Sequence, residues 1–136
     1  RQHTFFQGDL KSVTHIDFTE PYCAELRNTL LQAGRAAGIE LVDRGTYGAT
    51  QGPRLETAAE ITRMERDGCD IVGMTGMPEA ALARELGLCY AACAVVANWA
   101  AGHGGGEISM EDIERNLKTG MDRLRSLLEQ VIPMID

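Results

Sequence analysis

The sequence predicts an α/β fold, a sandwich of helices against a largely parallel β-sheet. Segments with strand character alternate with segments with helix character along the 136 residues, which is the pattern that parallel sheets produce. Leu88–Ala97 contains no charged residue, as expected of a central strand buried on both faces. The length is that of one domain, so residues 1–136 are predicted to form a single domain.

Four apolar or β-branched segments are predicted to be strands. They are Ser12–Ile16, Ile39–Tyr47, Asp70–Met74 and Leu88–Ala97. Helical segments separate the later three, so the connections between them are the crossovers that parallel strands need.

Four helices are predicted from their end signals. They run from Thr19-Glu20-Pro21 to Gly38, from about Glu56 to Asp67, from Pro78 to Gly87, and from Ser109 onwards. Proline suits a first helical turn, glycine suits the residue after a helix end, and serine is a good N-cap.

Apolar stripes at helical spacing predict which helix faces are buried. The first helix carries Cys23, Leu26, Leu30, Ala33 and Ala37, and the last carries Met110, Ile113, Leu117, Met121, Leu124, Leu128 and Val131. We expect both stripes to face the core.

Composition narrows the function. The net charge is −7 and no basic stripe is present, so no nucleic-acid partner is expected. No segment has the roughly 20 apolar residues of a membrane span, so no membrane partner is expected either. The four cysteines lack metal-ligand spacing and are predicted to be free buried thiols of a cytoplasmic protein; they are Cys23, Cys69, Cys89 and Cys93.

Polar side chains follow three of the predicted strands. Glu56 follows the second strand, Thr75 the third and Asn98 the fourth. Ligands of α/β sheets bind beyond the carboxyl ends of the strands, so these side chains are candidate binding groups. Each also has an ordinary structural explanation: a helix-dipole glutamate, an N-cap threonine and a turn asparagine.

The hydrogen-bonding groups match a 6-oxopurine. The amide of Asn98 offers both an acceptor and donors, which suits a protonated N7 and the O6 of a departing base. Glu56 can accept from N1–H of the same ring. Thr75 and nearby backbone N–H groups can bind phosphate, and Met74 can pack against a sugar, although a methionine there is also a common core residue.

Several segments together resemble the trimeric purine nucleoside phosphorylase and methylthioadenosine phosphorylase family. The resembling segments are His15–Cys23, Gly45–Glu60, Gly68–Leu86 and Asn98. Gly-Pro-Arg-Leu-Glu-Thr at 52–57 and Gly-Met-Thr-Gly-Met-Pro-Glu at 73–79 are specific as a pair. Within the family, the sequence is most similar to the S-methyl-5′-thioinosine phosphorylases.

The resemblance implies a three-layer sandwich with a mixed, largely parallel sheet, as in nucleoside phosphorylases and hydrolases. It implies phosphorolysis of a 6-oxopurine 5′-methylthionucleoside, with phosphate as co-substrate and no cofactor or metal. Its site residues would be Leu55 against the base, Glu56 and Asn98 at the base edge, Met74 at the ribose, Thr75 at phosphate, and His15 in a neighbour's 5′ pocket. Relatives are cytoplasmic homotrimers.

Two polar positions favour an oxopurine. In the resembling family, adenine-releasing members have aspartate where this chain has Asn98, and they lack a carboxylate at the position of Glu56. The alternatives are an inosine/guanosine phosphorylase, a methylthioadenosine phosphorylase, a nucleoside hydrolase, or an inactive half-domain.

The chain departs from the family pattern at Leu55, at Ala97 beside Asn98, and at its N-terminal end. Ala97 stands in place of a frequent threonine, and Leu55 in place of the usual phenylalanine, which removes aromatic stacking on the base. The family's glycine-rich phosphate loop and its arginine–histidine clamp would lie upstream of Arg1. The chain is therefore expected to be the C-terminal portion of such a domain.

Overall fold

The computed structural model describes residues 2–6, 8, 13–106 and 108–135. Helices and strands alternate through the first part of the chain, and one long helix follows. In chain order the elements are α1 (Ala24–Ala36), β1 (Tyr47–Ala49), α2 (Ala58–Arg66), β2 (Ile71–Gly73), α3 (Glu79–Glu85) and α4 (Met110–Val131), with a 3₁₀ turn at Ile132–Met134. The class is α/β.

The described part of the chain contains one small sheet of two parallel strands. Tyr47 of β1 pairs with Ile71 of β2, and Ala49 pairs with Gly73. The backbone N–H of Thr50 then donates to Gly73 O at 2.9 Å. The two strands therefore end together, and helix α2 is the crossover between them.

The predicted third strand is confirmed, but the other predicted strands are shortened or absent. Residues 39–46 form no strand, and pairing begins only at Tyr47. In the first predicted strand, Ser12 lies outside the described residues and residues 13–16 have no regular structure. Val13 and Val42 are largely exposed. β-branched composition favours extended backbone, but a strand also requires a hydrogen-bonded neighbour, which these segments lack among the described residues.

The prediction of a buried central strand at Leu88–Ala97 is wrong for this structure. Residues 88–97 form no strand, and Leu88 and Val96 are 59% and 70% exposed. Within the described residues, their backbone–backbone hydrogen bonds are Leu88 N to Ala83 O and Cys23 N to Tyr90 O. Among the described residues, no strand pairs with either edge of this segment.

The helix ends follow the local signals in the sequence. Ser109 accepts from Asp112 N as the N-cap of α4. Gly38, Gly68 and Gly87 have φ values of +67°, +86° and +67° just beyond α1, α2 and α3, the left-handed conformation that glycine adopts without a steric cost. Helix α1 begins at Ala24, a few residues later than the Thr19–Pro21 signal.

The core is formed where α1 meets the C-terminal part of α4. Ala33, Leu127 and Val131 are buried there, and the partly buried residues packed around them are Leu30, Ile39, Leu41 and Leu124. Gly34 allows the 39–41 segment to approach, because a Cβ at Gly34 would lie 2.7 Å from Leu41 Cδ1.

The predicted apolar stripe of α4 is only partly correct. Val131 is buried, but Met110, Leu117, Met121 and Leu128 are each more than a third exposed, and the buried leucine is Leu127 instead. Helix α1 has 13 residues and α4 has 22, so α1 can cover only part of the longer helix. The residues facing α1 are Leu127 and Val131, one turn apart.

The prediction of four free thiols is also wrong. Cys23 and Cys89 form a disulfide with an S–S distance of 1.99 Å, whereas Cys69 and Cys93 are free. The two bonded cysteines are 66 residues apart, so their spacing in the sequence gives no sign of the pairing. No helix among the described residues is long and apolar enough to cross a membrane.

Candidate functional site

The ends of β1 and β2 bring Thr50 and Glu56 together. The Thr50 hydroxyl donates to Glu56 Oε1 at 2.6 Å and also lies 3.4 Å from Gly73 O. Both side chains are partly buried. Glu56 precedes α2 and is held at the carboxyl ends of the two strands, which is where the sequence predicts a ligand-binding carboxylate.

The turn that carries Glu56 is held by a charged network. Arg54 makes two hydrogen bonds to the Glu60 carboxylate, at 2.8 and 2.9 Å. Glu60 also accepts from Thr57 N at 2.7 Å, while the Thr57 hydroxyl accepts from Glu60 N, which completes a capping box at the start of α2. The hydrogen bonds from Arg54 and then from Thr57 lower the pKa of Glu60 well below its ordinary value.

The side chain of Arg54, two residues before Glu56, is bound within this network. Arg54 also donates to Leu55 O at 3.0 Å, and its hydrogen bond to Glu60 raises its own pKa. Its guanidinium therefore serves first to shape the 52–57 turn.

Met74 packs against the same turn from the end of β2. Gly52 has φ +61°, and a Cβ placed there would collide with Met74 Sδ. Glycine at 52 therefore meets two needs, a left-handed backbone and the close approach of the thioether. Met74 is partly buried, and Leu55 on the turn is 47% exposed.

The turn after β2 is held by the phenol of Tyr47. Tyr47 Oη accepts hydrogen bonds from the backbone N–H groups of Thr75 and Gly76, each at 3.3 Å. Thr75 is exposed and is not a helix cap, because the N-cap of α3 is Pro78. Two of the backbone donors considered for phosphate therefore already have a partner, and the Thr75 hydroxyl is the group left facing solvent.

Asn98 lies in the loop between the 88–97 segment and α4. It is exposed, and its Nδ2 donates to Trp99 O at 2.7 Å. Beside it, Asn116 Nδ2 of α4 donates to Ala97 O at 2.7 Å. The bond from Asn116 attaches the Asn98 loop to the first half of α4, whereas the bond from Asn98 to its neighbour is local to the loop, as in the ordinary role of a turn asparagine.

Asn98 and Glu56 line different cavities. Asn98 borders an open cavity of about 460 Å³ with the 104–106 glycines, Arg115 and Asn116. Glu56 borders another of about 520 Å³ with Thr50 and Arg54, and the two share no lining residue. Their joint contact with one purine stays a prediction.

The glycine-rich loop connects these two regions. A Cβ at Gly102 would lie 2.8 Å from Ala58 Cβ, so the loop that follows Asn98 touches the helix start that follows Glu56. Further along the loop, His103 Nε2 lies 3.6 Å from Glu65 Oε2 of α2. The 102–103 part of this loop therefore lies against α2.

His15 is exposed in a segment without regular structure, and its predicted role in a neighbouring subunit's pocket stays a prediction. No group of three or more metal-ligating His, Cys, Asp or Glu side chains occurs among the described residues.

Sequence reasoning missed three residues that organise these turns: Thr50, Tyr47 and Asn116. Thr50 lies 6 residues from its partner Glu56, Tyr47 lies 28 residues from Thr75, and Asn116 lies 19 residues from Ala97. For Thr50 the local signal is its place just beyond the predicted strand Ile39–Tyr47, at the end of the observed strand β1. Tyr47 and Asn116 have no such signal, because their partners are backbone groups that become neighbours only in the fold.

The chain is similar to known proteins over almost its whole length. The family model described as "Phosphorylase superfamily" matches residues 1–133. The chain is 59% identical, over 97% of its length, to a protein of Pseudomonas syringae pv. tomato named "Probable S-methyl-5'-thioinosine phosphorylase", and covers 54% of that protein. It is 44% identical to the 6-oxopurine nucleoside phosphorylase of Pyrococcus furiosus, over 99% of this chain and 53% of that protein.

A solved structure agrees with the fold. The methylthioadenosine phosphorylase of Schistosoma mansoni in complex with adenine superimposes with a TM-score of 0.85 at 27% identity, over 92% of this chain and 50% of that one. The chain thus spans about half the length of the curated relatives that it matches.

Proposed function

The chain belongs to the phosphorylase superfamily, and from this membership we propose that the protein catalyses phosphorolysis of S-methyl-5′-thioinosine. The products are hypoxanthine and 5-methylthioribose 1-phosphate. The observation that carries the proposal is the 59% identity to a relative with that name. The proposal for the base rests on the same comparison, because both curated relatives described above are named for oxopurine substrates.

The site chemistry supports an oxopurine. The Glu56 carboxylate, held by Thr50, can accept only, and hypoxanthine presents N1–H as a donor. Adenine presents an N1 lone pair at the same place, which a carboxylate repels. A buried polar edge that is wrongly paired costs enough free energy to discriminate strongly between substrates.

In the proposed reaction a phosphate oxygen forms a bond to C1′ while the C1′–N9 bond breaks. The bonding electrons leave with the purine, which takes up at N7 the proton that the attacking hydrogen phosphate loses, directly or through solvent, and the sugar passes through a cationic, oxocarbenium-like state. The protein orients the reactants and stabilises charge on the departing base. Thr75 positions phosphate with its hydroxyl, Met74 borders the ribose, Leu55 lies against the base, and Asn98 and Glu56 hold the base edge.

Assembly and location are part of the proposal. A homotrimer in the cytoplasm would let His15 of one subunit complete a neighbour's 5′ pocket. Phosphate is the co-substrate, and no cofactor is needed.

The specific alternative is an inosine/guanosine phosphorylase. It is favoured by the 44% identity to the Pyrococcus furiosus 6-oxopurine nucleoside phosphorylase. A methylthioadenosine phosphorylase has less support, because the methylthioadenosine phosphorylase described above is only 27% identical. An inactive half-domain is the remaining alternative for this chain on its own.

The test is a phosphorolysis assay with S-methyl-5′-thioinosine, inosine and methylthioadenosine, each with and without phosphate. It uses both this 136-residue chain and the protein as its gene encodes it. We expect the gene-encoded protein to release hypoxanthine fastest from S-methyl-5′-thioinosine, and only with phosphate. Equal or faster release from inosine favours the alternative, turnover without phosphate indicates a hydrolase, and turnover of none of the three contradicts the proposal.

A further inference from the structure

We propose that Thr50 is the residue that positions the Glu56 carboxylate and so sets the preference for a 6-oxopurine over a 6-aminopurine. The inference rests on the proposed function and deepens it at the same site. Thr50 is a positioning residue, since it acts through Glu56 rather than on the base.

Thr50 is itself fixed by the sheet. It directly follows β1, and its backbone N–H donates to Gly73 O at the end of β2, at 2.9 Å. Its side chain is β-branched and has few rotamers. The position of its hydroxyl is therefore set by the strand pairing rather than by the more exposed 52–57 turn.

The hydroxyl proton of Thr50 points to Glu56. The oxygen lies 2.6 Å from Glu56 Oε1 but 3.4 Å from Gly73 O. A hydroxyl has one proton to donate, and a short bond to a carboxylate is stronger than a long bond to a neutral carbonyl. The single proton therefore goes to Oε1, and no other hydrogen bond is made to Glu56 among the described residues.

This bond orders a flexible side chain before a ligand arrives. A free glutamate samples many rotamers, and immobilising it on binding costs about 0.5–1.5 kcal/mol. With Oε1 held by Thr50, Oε2 is the oxygen available to a ligand donor. Once Thr50 is replaced, Glu56 can turn away, and both the attraction for N1–H of hypoxanthine and the repulsion of the N1 lone pair of adenine weaken.

The test compares five variants of the protein as its gene encodes it: Thr50→Val, Thr50→Ser, Glu56→Gln, the double variant Thr50→Val/Glu56→Gln, and Thr29→Val. Valine keeps the shape of Thr50 without the donor, and serine keeps the donor. Thr29 is the matched control, because it is also half-buried and its hydroxyl donates only to the carbonyl of Glu25 in its own helix. Titration calorimetry in phosphate gives Kd for hypoxanthine and for adenine, and thermal unfolding checks folding.

We expect Thr50→Val to weaken hypoxanthine binding about tenfold and to leave adenine binding unchanged or slightly tighter, because the repulsion of N1 is relieved, so that the selectivity ratio falls. Thr50→Ser should keep the ratio and Thr29→Val should not change it. Adding Thr50→Val to Glu56→Gln should cause little further loss, since the two residues act as one unit. A merely structural role of Thr50 would weaken both bases equally.

Two further results overturn the inference and are distinguishable. If Glu56→Gln lowers the ratio and Thr50→Val does not, Thr50 does not position Glu56, although the proposed function stands. If the unchanged protein binds neither base nor turns over any of the nucleosides, the proposed function fails, and the inference fails with it.

Discussion

The phenol oxygen of Tyr47, at the start of β1, lies 3.3 Å from the backbone nitrogen of Thr75, in the turn after β2. The same oxygen accepts from Gly76 N. One side chain thus crosses from the first strand to the turn that follows the second. A Cβ at Gly76 would lie 2.9 Å from a carbon of the Tyr47 ring, so glycine permits this close approach. The turn that presents the Thr75 hydroxyl is therefore braced by the sheet.

Replacing Tyr47 by phenylalanine should weaken phosphate binding. The ring stays, but two backbone N–H groups lose their acceptor, so the Thr75 turn becomes less ordered. We expect KM for phosphate to rise several-fold in phosphorolysis assays, and stability to fall by about 1 kcal/mol. Tyr22→Phe is the control, because Tyr22 stacks on Tyr90 with its ring. An identical phosphate KM in the two variants would contradict the role given to the turn.

Replacing Asn98 by aspartate should shift the substrate preference toward 6-aminopurines. A carboxylate can accept from the N6 amino group of adenine, but it repels O6 of hypoxanthine. We expect the ratio of kcat/KM for S-methyl-5′-thioinosine to that for methylthioadenosine to fall at least about tenfold. Asn28→Asp adds the same charge on an exposed position of α1 and should leave the ratio as it is. Unchanged selectivity in Asn98→Asp would remove Asn98 from the base edge.

Replacing Glu60 by glutamine should destabilise the protein in a pH-dependent way. Hydrogen bonds from Arg54 and Thr57 lower the folded-state pKa of Glu60 below the ordinary 4.5. A lowered pKa contributes stability that is present above 4.5 and is lost as pH falls toward the folded-state pKa. The difference in unfolding free energy between the unchanged protein and Glu60→Gln should therefore be largest near neutral pH and shrink in acid.

Denaturant unfolding at a series of pH values measures this difference for Glu60. Glu129→Gln, at an exposed position of α4, is measured in parallel as the matched control for the loss of one carboxylate. A Glu60→Gln effect that stays constant down to acid pH would mean that the capping box, and not the ionised carboxylate, carries the stabilisation.

Two adjacent leucines of α4 should differ sharply in their contribution to stability. Leu127 is 1% exposed in the core with Ala33 and Val131, whereas Leu128 is 41% exposed. Leu127→Ala should cost about 2–5 kcal/mol through lost burial and a residual cavity, and Leu128→Ala should cost much less. Urea denaturation of the two variants measures both. Equal losses would show that the α1–α4 contact is not the core of this chain.

The helices could be predicted well because their ends depend on nearby residues. Ser109 and the glycines 38, 68 and 87 all act at the helix ends where the sequence suggests them. A cap needs only partners within a few residues, so it can be recognised without knowing the fold.

The strands were harder to predict because each depends on a remote partner. Leu88–Ala97 has the composition of a buried strand but has no ladder among the described residues, whereas the short β2 segment pairs with β1. Apolar composition alone does not distinguish these two cases, since the hydrogen bonds that define a strand lie on another segment.

The candidate site shows the same division. The residue types at the ends of the predicted strands, Glu56, Thr75 and Asn98, follow from the sequence, and so does the family resemblance that the comparisons confirm. The positions of these side chains relative to one another do not follow from the sequence. The sequence predicts that Asn98 and Glu56 surround one base, whereas in the structure they line two cavities that share no lining residue.

The sequence by itself therefore determined the class of fold, the ends of the helices and the chemical groups offered to a ligand. Only the tertiary structure decided which groups meet: Thr50 with Glu56, Tyr47 with Thr75, and Cys23 with Cys89. The physical reason is that a helix cap is made within one turn of chain. These contacts instead join elements that approach only when strands pair and helices pack.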